Sequence, residues 1–187
     1  MCGIAGFSLF NFNEGGETSL EAMHKAIHHR GPDASGMYID EHIGLCHRRL
    51  SILDLSEAGN QPMYSKDGDL VIVFNGEIYN FLELRAELEN DGVTFKSHTD
   101  TEVILELYAR EGTKCLDKLN GMFAFALWDK NKQELFIARD RLGKKPLYYF
   151  NDNGRFAFGS EIKAILALEN IPREIRLDAV YDFFAYQ

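Results

Sequence analysis

The sequence predicts an α+β fold in which two sheets and two groups of helices stack as layers. Three observations point there. Strand-like runs fill the first part of the chain and return in its last third, two capped amphipathic helices separate them, and no repeat, low-complexity tract or linker divides the 187 residues. A chain of this length suits one domain with a full core, on the soft prior of roughly 100–200 residues per domain, so a single active site is expected.

The chain opens on a strand over residues 3–10, with Met1 and Cys2 at its mouth. Residues 11–17, with two glycines, read as the turn that follows. Thr18 and Glu21 make a capping-box pair ahead of Leu20, Met23 and Ile27 at helical spacing. This predicts an amphipathic helix over 19–28, stopped by Gly31-Pro32. Strands are expected over 36–40, 43–52 and 70–74, the last an uninterrupted apolar run suited to a strand covered on both faces, and these make a first sheet. Two helices come next. One spans 81–90, capped by Asn80 with Glu83 three residues on and stopped near Gly92; the other spans 102–110, where Thr99 and Glu102 repeat the capping pattern. Val103, Ile104, Leu107 and Tyr108 supply its buried stripe. Strand patterns at 122–128, 134–138, 147–150 and 156–158, separated by turn-rich pieces at 129–132 and 151–154, make a second sheet. Short helices over 162–168 and 178–186 close the chain.

Apolar residues at 45% and charged residues at 26% match neither a disordered nor a membrane class. A net charge of −9 suits neither nucleic acid nor an anionic membrane surface and leaves a small molecule or a protein as partner. Three cysteines without CxxC spacing argue against a disulfide framework and a zinc site, and so for a reducing compartment. The first ten residues lack a basic start and a long apolar run, and no stretch reaches the ~20 apolar residues that span a bilayer. The expected location is cytoplasmic.

A cysteine at position 2 is by itself most simply a buried small hydrophobe. Removal of Met1, usual when the next residue is small, would instead leave a thiol and a free α-amine on one residue. An α-amine of pKa near ~7.7–8.0 is well placed to serve as that thiol's base. Asn75-Gly76-Glu77 follows the apolar run directly. Asn-Gly is a common turn dipeptide, but the Asn75 amide and the Gly76 N–H could equally form an oxyanion hole, with glycine permitting close approach of its N–H.

Arg48 and Arg49 fall on opposite strand faces, so one of them can face a pocket. The choice is between a solvated basic edge and a guanidinium gripping an α-carboxylate by two parallel bonds. Asp100 stands at a helix start, where the dipole alone favours a carboxylate; the other reading is a partner for a substrate ammonium, completing a clamp with Arg49. His28, His29 and His47 lack metal-ligand spacing and neighbour arginines, so no metal is assigned. Pro32 fixes the loop after the first helix and leaves Asp33 free to pair with Arg30 or another arginine, while residues 139–146 read as a solvated charged turn. No Walker-type phosphate loop occurs.

Together, Met1-Cys2-Gly3-Ile4-Ala5-Gly6, His29-Arg30-Gly31-Pro32-Asp33, Arg49-Leu50-Ser51-Ile52, Asn75-Gly76-Glu77-Ile78-Tyr79-Asn80, Thr99-Asp100-Thr101-Glu102 and Arg139-Asp140-Arg141-Leu142-Gly143 resemble the class II glutamine amidotransferases. The second and fourth look like the asparagine synthetase branch, and the resemblance covers nearly the whole chain. It implies a four-layer α-β-β-α sandwich of two stacked, mainly antiparallel sheets, the N-terminal-nucleophile hydrolase fold. It implies that Cys2 attacks the glutamine carboxamide with its own amine as base, while Asn75 and Gly76 stabilise the oxyanion. Arg49 and the backbone of Leu50, Ser51, Ile52 and Leu53 go to the substrate carboxylate end, and Glu77 and Asp100 to its ammonium end. Residues 139–146 and 159–164 are shared by the synthetases without a physical argument for a catalytic role.

Full asparagine synthetases continue into a domain that binds ATP and aspartate through a Ser-Gly-Gly-x-Asp-Ser type loop, absent before Gln187. The expectation is one amidotransferase domain over residues 1–187, excised from a longer synthetase, with L-glutamine as substrate and a synthetase domain in cis or trans. ATP and Mg²⁺ are expected only in that second domain, with no cofactor in this one. Pairing as a homodimer is left open. The competing readings are a half serving another ammonia acceptor, a glutamine-sensing module without turnover, and a hydrolase of other amides such as penicillins or bile conjugates, which the Arg49–Asp100 clamp disfavours.

Overall fold

The computed structural model describes residues 1–8 and 16–186. Among the described residues nine strands and five helices follow one another: β1 (Gly3–Ser8), α1 (Gly16–Ala26), β2 (Ala34–Ile39), β3 (Ile43–Arg49), β4 (Met63–Tyr64), β5 (Leu70–Ile78), α2 (Phe81–Asn90), α3 (Asp100–Glu111), β6 (Gly121–Asp129), β7 (Glu134–Arg139), β8 (Tyr148–Asp152), β9 (Arg155–Gly159), α4 (Ile162–Ile165) and α5 (Leu177–Tyr186). One sheet runs β2-β3-β1-β9-β8 and the other β4-β5-β6-β7, and every pairing is antiparallel.

Strand period sorts the core into three layers. Ile4, Ile43, Leu45, Val71, Val73, Ala124 and Ala126 fill the space between the sheets. Ala5, Phe7 and Cys46, on the opposite face of the first sheet, pack on Leu20, Met23 and Ile27 of the α1 layer and on Ala164 and Ile165 of α4. Leu70, Ile72, Phe74, Phe123, Phe125 and Leu127 pack beneath Leu84, Leu88, Val103, Ile104 and Leu107 of α2 and α3. The apolar run in β5 is unbroken because both of its faces are covered.

The strand assignments hold but their grouping into sheets does not. The run at 70–74 lies in the second sheet beside β6, and the β8–β9 hairpin joins the first sheet against β1. A strand buried on both faces carries no mark of its partner, so order along the chain was a poor guide. The strand expected to reach residue 52 stops at Arg49. Asn75 and Gly76 form no turn; they lie within β5, opposite Ala124 and Phe123.

Helix ends also differ. α1 starts at Gly16, which puts Thr18 inside its first turn rather than at its cap, and a short 3₁₀ turn over His28–Arg30 follows it. Asn80 does not cap α2. Its amide donates to Lys118 O at 2.9 Å and its Oδ1 accepts from Asn120 N at 3.0 Å, tying the helix start to the entry of β6. Thr99 does cap α3, accepting from Glu102 N at 3.3 Å, while the Glu102 carboxylate reaches further back, to the N–H groups of Lys96 and Ser97. α4 ends three residues earlier than expected. Residues 9–15, with the end of the first predicted strand and most of the predicted turn, lie outside the described residues. Among the described residues no helix is long and apolar enough to cross a membrane.

Candidate active site

Where the apolar filling between the sheets ends, polar side chains replace it. By strand period His47 and Arg49 continue the face of Ile43 and Leu45, and Asn75 continues the face of Val71 and Val73. They open onto a cavity of ≈ 400 Å³ lined by Cys2, Arg49, Leu50, Ile52, Leu53, Asn75, Gly76, Glu77 and Asp100. Of the residues expected in the site, Ser51 alone is not on this wall; its N–H is held by Asp33 Oδ2 at 2.8 Å.

Cys2 sits half-buried just ahead of β1. Its sulfur takes the Leu50 N–H at 3.4 Å and approaches Leu50 O at 3.6 Å. Its carbonyl accepts from Arg30 Nε at 2.9 Å. Arg30 is in turn fixed by Glu161, Nη1 to Oε1 at 3.0 Å, so the arginine's partner is Glu161 and not Asp33. Burial resists ionisation of Glu161, but hydrogen bonds from Lys163, Arg30 and His29 outweigh it and hold the carboxyl down at about 2. Ser160, with no side-chain exposure, accepts from Ile4 N at 3.0 Å and donates its own N–H to Ile4 O at 2.8 Å. Residues 159–164, without a role on sequence grounds, thus pin the backbone around Cys2.

Asn75 is 1% exposed, and its amide nitrogen is buried with no hydrogen-bond partner. A buried donor left unpaired costs about 1–3 kcal/mol, which a substrate oxyanion would recover. Gly76 is required by packing as much as by access: a Cβ there would lie 2.5 Å from Met122 O and 2.8 Å from Phe123 Cα of the neighbouring strand.

Asp100 is 5% exposed, and Ile78 N donates to its Oδ2 at 2.9 Å. Burial, with the charge of Glu77 adding to it, raises its pKa from 3.8 to about 6 against the backbone hydrogen bonds it accepts. Among the described residues it has no ion-pair partner. Arg49 is in the opposite condition. Nη1 donates to Ser56 O and Asn60 Oδ1 at 2.8 and 2.9 Å, and Nη2 donates to Leu53 O at 3.2 Å and to Asp54 O. All four terminal N–H groups serve the loop over residues 50–60, so a bidentate grip on a carboxylate needs that loop to release some of them.

Sequence reasoning missed Gln61, Thr101, Lys144 and Lys145, which also line the cavity. Gln61 accepts from Phe74 N at 2.6 Å and donates to Thr101 Oγ1 at 3.2 Å, joining β5 to α3. Lys145 is 7% exposed, carried inward because Asp140 accepts the N–H groups of Lys144, Lys145 and Phe123. The Asp-x-x-Gly turn was the only visible signal, and it reads as solvated.

The family model described as glutamine amidotransferase domain matches residues 1–187. The chain belongs to the glutamine amidotransferase family. It is 43% identical over 192 residues to asparagine synthetase [glutamine-hydrolyzing] 1 of Bacillus subtilis, covering 100% of this chain and 30% of that protein. It is 46% identical over 143 residues to asparagine synthetase B [glutamine-hydrolyzing] of Escherichia coli, covering 76% and 26%. The amidotransferase domain thus spans less than a third of the length of these two relatives. The solved glutamine phosphoribosylpyrophosphate amidotransferase of B. subtilis, in complex with ADP and GMP, superposes with a TM-score of 0.76 at 22% identity, over 89% of this chain and 43% of that one. The shared architecture is a four-layer sandwich, with two stacked antiparallel sheets between helix layers.

Proposed function

We propose that this amidotransferase domain hydrolyses L-glutamine to L-glutamate and ammonia, with Cys2 as nucleophile. One observation carries the reading: a single cavity collects the Cys2 thiol, the unpartnered Asn75 amide and the cation-free Asp100 carboxylate. Glutamine enters with its ammonium toward Asp100 and Glu77 and its carboxylate toward Arg49 and the 50–53 backbone. With Met1 removed, the Cys2 α-amine takes the thiol proton as sulfur bonds to the carboxamide carbon. The oxyanion formed meets Asn75 Nδ2 and Gly76 N–H. Collapse breaks the C–N bond, the α-ammonium returns its proton to the leaving nitrogen, and ammonia departs. Water then cleaves the thioester, yielding glutamate and the free thiol.

The ammonia is assigned to a synthetase domain in cis that makes asparagine from aspartate at the expense of ATP, and that domain would hold the ATP and Mg²⁺. The relatives are named as glutamine-hydrolysing asparagine synthetases, and this chain covers only 30% and 26% of their lengths, which supports this. A cytoplasmic setting is supported by Cys2, Cys46 and Cys115, all free thiols. The test is release of glutamate from glutamine, compared with asparagine and other amides, by protein shown to lack Met1. One methylene fewer displaces the carbonyl from the thiol, and ~1 Å of misplacement can cost about a hundredfold, so asparagine should be a far poorer substrate. Equal kcat/KM for the two amino acids would remove the clamp.

A further inference from the structure

We propose that His47 is a positioning residue for the oxyanion donor Asn75, holding the strand that carries Asn75 against the strand that carries Arg49 and so fixing the width of the cavity. This rests on the glutaminase reading above. His47 on β3 is fully buried between the sheets, and its Nε2 lies 3.1 Å from Phe74 O of β5. A carbonyl oxygen only accepts, so Nε2 carries the proton. Phe74 is joined directly to Asn75, and Arg49 follows His47 by one strand period on the same face. The bond therefore links the two walls of the cavity one residue from its oxyanion donor.

What the ring leaves undone points the same way. His47 Nδ1 is buried without a partner, and burial keeps the imidazole neutral by pushing its pKa down to about 3. An apolar side chain would fill the space without an orphaned acceptor, so the core gains little from a histidine there. The Asn75 amide nitrogen has no hydrogen bond of its own to aim it. Its direction is set by the β5 backbone, which His47 holds. The line continues outward, His24 Nε2 lying 3.1 Å from His47 O and Arg48 Nε donating to His24 O at 3.2 Å, so the helix layer braces β3 from behind.

The test compares His47→Leu, which loses the donor, with His47→Gln, which keeps one, in protein lacking Met1. His47→Leu should lower kcat for glutamine roughly tenfold to a hundredfold with KM within about twofold, the cost of a donor displaced by a fraction of an ångström to ~1 Å. His47→Gln should recover most of the loss. In an Asn75→Ala background His47→Leu should cost less than about twofold more, since the group it positions is gone. Independently of turnover, the Asn75 side-chain ¹⁵N–¹H resonances should move in His47→Leu and return in His47→Gln. Equal losses of kcat in both backgrounds, a rise in KM in place of a fall in kcat, or unmoved Asn75 resonances would overturn the proposal. Should His47→Leu not fold, His47→Met serves as the donor-free variant. A wild-type protein that releases no glutamate refutes the glutaminase reading instead, and the Asn75 resonances then decide on His47.

Discussion

Acid should loosen the grip on glutamine, and the environment of Asp100 sets where on the pH scale this happens. Burial, with Glu77 adding, raises this carboxyl from 3.8 to about 6. The sign follows from linkage. A carboxyl with a raised folded-state pKa stabilises the fold while protonated, a contribution fully present below about 3.8 and lost as pH rises through about 6. The difference of about two pKa units makes the ionised form cost roughly 3 kcal/mol at neutral pH. A substrate ammonium supplies the missing counter-charge and recovers part of this. At pH 5 only about one Asp100 in ten stays ionised, so affinity should fall roughly tenfold between pH 7 and pH 5. Calorimetric Kd values for glutamine on a Cys2→Ala variant lacking Met1 measure this free of chemistry, and an α-amine of ordinary pKa near ~7.7–8.0 stays mostly protonated from pH 5 to 7. Asp100→Asn in that background should bind more weakly, show no such slope, and melt higher at pH 7 but not at pH 4. A flat Kd between pH 5 and 7, or the same slope in Asp100→Asn, would refute the assignment of Asp100 to the ammonium.

Asn75→Ala should lower kcat by roughly 10²–10³ while leaving KM nearly unchanged, because the amide is aimed at charge that exists only during reaction. Steady-state kinetics decide, and a KM effect with intact kcat would contradict the oxyanion role. Arg49→Ala should raise KM and also free the 50–60 loop, whose carbonyls it holds, so limited proteolysis within that loop should accelerate in the same variant. Retention of Met1 makes the Cys2 nitrogen an amide, and Met1 itself lines the cavity, so protein carrying it should bind but barely hydrolyse. Intact mass and glutamate release on one sample check this; full turnover with Met1 on every molecule would exclude the α-amine as base.

Strand and helix identity was legible from a short unbroken apolar run in β5 and from the helical period of the 103–108 stripe in α3. Sheet membership was not, since β5 buries both faces and offers no surface that names its neighbour. Asn75-Gly76 shows how a local preference yields to tertiary pairing: the dipeptide suits a turn, yet β6 pairs it into a strand and leaves no room for a Cβ at Gly76. The residues expected in the site were brought to one cavity, Ser51 excepted. Those lacking a sequence signal were found only by long-range contact. Gln61 bridges Phe74 to Thr101, which lie 13 and 40 residues further along the chain. Lys145 reads as solvated until Asp140 is seen to fold its backbone inward.

The distribution of defects in the polar interior argues for function independently of any motif. Among the described residues, three buried side-chain nitrogens lack a partner: Arg30 Nη2, His47 Nδ1 and Asn75 Nδ2. Arg30 holds the Cys2 carbonyl, His47 holds the Phe74 carbonyl, and Asn75 forms the wall that faces the thiol's cavity. At about 1–3 kcal/mol apiece, such groups weigh heavily against a total stability on the order of 5–15 kcal/mol. Scattered through the core they would read as accidents of packing. Gathered near one half-buried cysteine, they brace a cavity whose own lining includes the Asn75 amide and a carboxylate raised to about 6 by burial, a donor and a charge that something binding there would complete.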